Sequence, residues 1–197
     1  MPIGAEPKPE SRVMGLATRR LGNETRWSLL SRGDRVHGRT LTPAGAGRHP
    51  VILLVGPDGV ATSAFVDSAA AAWCARAALV VFDLPLCGSR KSDKLTALAL
   101  DARLPLAERL RSELEAQVGS DLAEVQRLIA ADPALDATRV TFVGVGLGAE
   151  LARTFLAETR AFAHVALAPD GTPTAGWLRE IGERASRENP GPARLTS

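Results

Sequence analysis

The segment GVGLG, residues 144–148, is where nucleophilic chemistry would be expected in this 197-residue chain. It follows the apolar run RVTFV and precedes AELARTFLAE, whose pattern is helical, so it stands at a strand-to-helix turn. In a G-x-S-x-G elbow, small residues let the backbone make a strained turn that lifts a central nucleophile to the tip of a sheet. Here the five positions are Gly144, Val145, Gly146, Leu147 and Gly148, and the centre is glycine. Glycine has no atom that can attack a carbonyl. No catalytic residue is therefore assigned.

The same residues allow a second chemistry. Gly144, Gly146 and Ala149 fit the G-x-G-x-x-G/A dinucleotide fingerprint, and Asp170 falls at the end of the following strand, where a ribose-binding acid could stand. Such a unit normally opens its domain, whereas this one begins at Arg139 with a single strand after it. Close packing of helix on strand is the simpler account of these glycines.

Other reactive side chains are isolated. Cys87, with Asp83 before it and Asp170 later in the chain, marks a candidate pocket in the loop after a strand end. No His or carboxylate is placed to make Cys87 a thiolate, and a lone Cys is more simply a small apolar residue. Cys74 lies in an Ala-rich helix and reads as structural. His37 and His49 have no second ligand at metal spacing, so no metal and no cofactor are expected. Arg90, Lys91 and Lys94, beside Asp93 and Asp101, read as a solvated loop, with an anion contact as the sharper alternative.

The elements that must position these residues follow from apolar periodicity. Residues 1–24 mix Pro, Gly and charge and read as a loose leader. WSLLS and VHGRTLT, joined by Arg32-Gly33-Asp34-Arg35, form a hairpin. HPVILLVGPDG, LVVFDLP, RVTFV and HVALAP are strands with the near-continuous apolar character of a sheet covered on both faces. SAFVDSAAAAWCARAA is a packed helix. A helix from Pro105 to about Val118 is expected to stop at Gly119 and Ser120, with a second helix carrying Leu122, Val125, Leu128 and Ile129 on one face. Trp177, Leu178 and Ile181 stand at helical spacing near the end, and residues 188–197 read as a tail. The expected organisation is one domain over residues 25–187.

Composition narrows the classes. The 24 basic and 22 acidic residues leave a net charge of +2, too balanced for a nucleic-acid footprint. Hydrophobic residues are 45% and charged residues 23%, ordinary for a globular chain and unlike a membrane span. Two cysteines cannot make a disulfide framework, which points to a reducing cytoplasm.

Four pieces in order resemble the α/β-hydrolase superfamily, in its dienelactone-hydrolase and acyl-esterase-like branch, over roughly residues 27–171. SRGDRVHGRTLTPAG resembles the opening hairpin, and HPVILLVGPDG the strand and loop bearing half of the oxyanion hole. LVVFDLPLCGSRKS resembles the DLPxHG strand and loop, and LAEVQRLIAADPALDATRVTFVGVGLGAELA the helix, strand and elbow. The resemblance implies a Ser or Cys where Gly146 stands. It also implies an oxyanion donor after a His-Gly pair that here reads Val55-Gly56, followed by Pro57 and Asp58, and Pro57 has no N–H to give. A triad acid and histidine would come after the elbow, where His164 is the single histidine, at the far end of its strand.

The expectation is a three-layer α/β/α sandwich on a mainly parallel sheet of about six strands, the first two antiparallel, with the family's last strands missing. The leading function is a catalytically silent module that binds a small acyl ligand or a protein. The alternatives are a weak or unconventional carboxylic-ester hydrolase and a nucleotide-binding module. The His164–Ala168 edge is expected to lie unpaired, to be covered by residues 177–186 or to form a homodimer.

Overall fold

The computed structural model describes residues 15–21, 23–56, 64–92, 94, 105–169, 174–187 and 195–196. The chain runs β1 (Ala17–Leu21), β2 (Glu24–Ser31), β3 (Asp34–Leu41), β4 (His49–Val55), α1 (Ala64–Trp73) and β5 (Ala78–Phe82). A short 3-10 turn (Gly88–Arg90) precedes the long helix α2 (Pro105–Ala131). Then come β6 (Leu135–Val145), α3 (Leu147–Leu151), α4 (Arg153–Glu158), β7 (His164–Ala168), α5 (Ala175–Ala185) and β8 (Leu195–Thr196).

All eight strands join one sheet in the order β1-β2-β3-β5-β4-β6-β7-β8. The pairs β1–β2, β2–β3 and β3–β5 are antiparallel, and the pairs from β5 through β8 are parallel. Parallel neighbours need crossovers, and these place helices on both faces. Val51, Leu53, Val55, Val80, Phe82 and Phe142 point to one side and pack with Leu114, Val118, Leu122, Val125 and Ile129 of α2. Ile52, Leu54, Leu79, Val81 and Val143 point to the other, against Val66, Ala69 and Trp73 of α1 and Leu178 and Ile181 of α5. The alternation within HPVILLV therefore sorts side chains between two apolar layers, which is why the run carries no polar residue between Val51 and Val55.

Four expectations are corrected. The leader contains β1, whose residues Ala17, Thr18 and Arg19 pair with Ser28, Trp27 and Arg26. Its polar sequence hid it, because an edge strand needs only backbone bonds to its neighbour. The tail likewise contains β8. Leu195 and Thr196 pair with Val165 and Ala166, so a two-residue strand follows β7 and two of the five residues along its edge are paired by this chain's own backbone. Helix α2 passes through Gly119 and Ser120 without a break. An interior glycine weakens a helix by only about 1 kcal/mol, less than the apolar face on either side contributes. Finally, α5 lies on the sheet face instead of along its edge, with Leu178 and Ile181 buried and Trp177 half-buried.

No helix among the described residues is long and apolar enough to cross a membrane.

Candidate functional site

Strand β6 lies between β4 and β7, and its last pairs are Gly144 with Val55 and Val145 with Ala168. The chain then turns at Gly146, which has φ 54° and ψ −127°, and enters α3. That conformation lies outside the region open to L side chains and is reached freely only by glycine. Two hydrogen-bond sets lock it. The Gly146 amide donates to the Ala168 carbonyl at 2.9 Å, and the Gly146 carbonyl accepts from the amides of Ala149 (3.0 Å) and Glu150 (3.2 Å).

The flanking glycines serve close approach. A Cβ on Gly144 would come within 2.9 Å of Ala149 Cα, and one on Gly148 would overlap the Val55 carbonyl oxygen. These contacts press the start of α3 onto the ends of β4 and β6. Gly56 follows β4 directly and is half-buried. Val145 is buried among Ile52, Leu54 and Val143, whereas Leu147 packs on the opposite apolar layer. Backbone and glycines thus make the strand-turn-helix unit expected from GVGLG, with no side chain at its centre. Pro57, Asp58 and Asp170 lie outside the described residues.

Asp83 and Cys87 organise a loop. The buried Asp83 carboxylate accepts from the Ser89 amide at 3.0 Å and the Ser89 hydroxyl at 2.7 Å. Cys87 joins the apolar layer under α2, and its amide donates to the Leu84 carbonyl. Cys74 packs beside the α1–α5 layer. Burial pushes its thiol up, against the opposing pull of a hydrogen bond to the Leu79 backbone and the charge of Arg39. It is therefore a poor thiolate. His164 pairs with Thr141, five residues before Gly146 on β6, so it stands toward the other end of the sheet.

Arg90 departs from the expected solvated loop. Its side chain is 4% exposed and spans three elements. Nη1 donates to Asp121 Oδ2 at 2.7 Å and to the Asp83 carbonyl at 3.0 Å, while Nε and Nη2 reach Asp34 Oδ2 at 2.9 and 2.6 Å. Asp121, with a fully buried side chain, also accepts from Gln117 Nε2 at 2.7 Å, and Gln117 donates on to the Ser31 carbonyl at 3.2 Å. A buried carboxylate needs a paired cation, and Arg90 supplies it. The available sequence signal was Asp121 itself, an acid at helical spacing with Leu114, Val118 and Val125 on the apolar face of α2.

No protein-family model matches the sequence, and no curated protein matches it. Solved structures do resemble it in fold. A cold-adapted esterase from an Arctic intertidal metagenomic library superposes with TM-score 0.58 at 21% identity, over 84% of this chain and 67% of that one. The acetyl xylan esterase from Paenibacillus sp. R4 gives 0.55 at 16% identity, over 77% and 51%. The 2,6-dihydroxy-pseudo-oxynicotine hydrolase gives 0.52 at 17% identity, over 72% and 35%. The chain spans about two-thirds of the first of these, half of the second and a third of the third. The shared architecture is the α/β-hydrolase fold.

Proposed function

We propose that this α/β-hydrolase-fold chain is a non-catalytic binding module whose ligand is a small acyl compound or a protein. The observation that carries this reading is Gly146. The elbow keeps a backbone shape that enzymes of this fold use to present a nucleophile, yet the tip offers no hydroxyl or thiol. The sequence after Gly56 adds to the argument, because Pro57 has no N–H to donate to a developing oxyanion. Close packing at Gly144 and the positive φ of Gly146 account for the glycines of the dinucleotide-like motif without a nucleotide. A reducing cytoplasm suits Cys74 and Cys87, neither of which is in a disulfide.

The neighbouring folds belong to esterases, so the competing reading is residual ester hydrolysis. A fluorophosphonate probe separates the two, since it labels activated serines. The expected result is no stoichiometric labelling and no p-nitrophenyl ester turnover above buffer. Labelling of any residue at one equivalent would sink the silent reading and establish the hydrolase one.

A further inference from the structure

A cavity of about 270 Å³ opens between the start of β7 and helix α5. Val165, Ala166, Trp177 and Ile181 supply its apolar lining, and Thr141, His164, Glu180 and Arg184 its polar lining. The polar side continues into a shallow groove that shares Thr141, His164 and Arg184 and adds Arg139 and Arg187. Thr141 is five residues before the elbow, about 16 Å along an extended strand, so this cleft is separate from the Gly146 turn.

Charge at the mouth is unbalanced. Arg184 Nη2 is held by Glu180 Oε1 at 2.7 Å, and Arg139 Nε by Asp136 Oδ2 at 2.7 Å. Arg187 has no carboxylate partner among the described residues. Three guanidinium groups thus face two carboxylates around one imidazole. Burial holds the His164 pKa below its ordinary value, and the charges of Arg184 and Arg187 push the same way. Its ring is accordingly shifted toward the neutral form, which can donate or accept.

We infer that this cleft binds a small apolar carboxylate, its hydrocarbon part against Trp177 and Ile181 and its carboxylate at Arg184, Arg187 and His164. Guanidinium groups are the preferred partners of planar carboxylates, and a site with an apolar floor and a few convergent polar groups is the usual form of a small-molecule pocket. The positive charge that stays uncompensated among the described residues selects an acid over the corresponding alcohol or amide.

This inference rests on the binding-module reading, but its test uses no esterase readout, so either can fail while the other stands. Benzoate is titrated into the full chain at pH 7 while the imidazole resonances are followed by NMR. The sequence has three histidines, which makes His164 separable from His37 and His49 by a His164→Gln control. Saturable shifts confined to His164 are expected, together with a rise in its pKa on saturation, because a bound carboxylate opposes Arg184 and Arg187. Benzyl alcohol is expected not to compete. Arg184→Gln and, separately, Arg187→Gln should each weaken benzoate by about tenfold, with unchanged circular dichroism. Two variants are used so that misfolding of one still leaves a decision. Absence of a saturable His164 shift, equal competition by benzyl alcohol, or undiminished affinity in a folded arginine variant would overturn the site.

Discussion

Gly146 is where residue chemistry and backbone geometry separate. An L side chain held at φ 54° and ψ −127° would cost of order 1–3 kcal/mol, a strain that an enzyme accepts in order to present its nucleophile. Glycine keeps the turn without that strain. Asp136 shows the opposite case, a side chain whose charge holds backbone in place. Its Oδ1 accepts from the Thr138 amide (3.1 Å) and hydroxyl (2.7 Å), and Oδ2 from Arg139 Nε (2.7 Å). Burial alone would raise its pKa, but the Thr138 and Arg139 bonds outweigh it and bring the carboxyl from 3.8 to about 2. Because the folded value is the lower one, the stabilisation is complete above about pH 5 and is lost as pH falls toward 2. After allowance for solvent screening it is of order 1 kcal/mol. In urea titrations, Asp136→Asn is expected to lie below the native protein by that amount at pH 6, and the gap should close as the pH approaches 2. A gap independent of pH would contradict the assignment.

At the scale of elements, α2 and β6 each join what sequence punctuation would divide. The 27 residues of α2 extend about 40 Å, and Leu114, Val118, Leu122, Val125 and Ile129 keep one apolar stripe across Gly119. A Cβ at Gly119 would meet Phe155 Cδ2 at 3.6 Å, an ordinary contact. Gly119→Ala is therefore expected to stabilise the protein by about 0.5–1 kcal/mol, seen as a higher urea midpoint at unchanged slope. A loss of stability would mean that Phe155 cannot accept the methyl group. In β6 the register against β4 shifts between Pro50 and Val51, whose partners are Asp136 and Val140. The three residues between those partners bulge out, and this is the turn that Asp136 ties.

Across the whole molecule, the Arg90 network does what no single layer could. It links the β2–β3 turn at Asp34, the loop after β5, and α2 at Asp121, three segments far apart in sequence. Removing Arg90 leaves the fully buried Asp121 without its cation, which costs about 3–5 kcal/mol, whereas replacing both charges by apolar groups of similar size is often near neutral. Arg90→Met should thus lower unfolding free energy by that amount. The double variant Arg90→Met with Asp121→Leu should recover most of it. If the single and double variants were equally destabilised, the loss would come from packing and not from an orphaned charge.

The apolar strands, the two-sided burial of the sheet, the hairpin and the glycine at the elbow centre were legible in the sequence alone. Each is written in local periodicity or in one residue type, and the physics of side-chain alternation and of a missing Cβ needs no distant partner. The fate of the polar residues was not legible. Arg90 reads as solvated until Asp121 and Asp34 converge on it, and β1 and β8 read as loose ends until β2 and β7 offer them unpaired backbone. The cleft at His164, Arg184 and Arg187 exists only because α5 folds back on the face beside β7. Burial of a charge and pairing of a polar strand depend on which atoms arrive from elsewhere in the chain, and tertiary structure alone decides that.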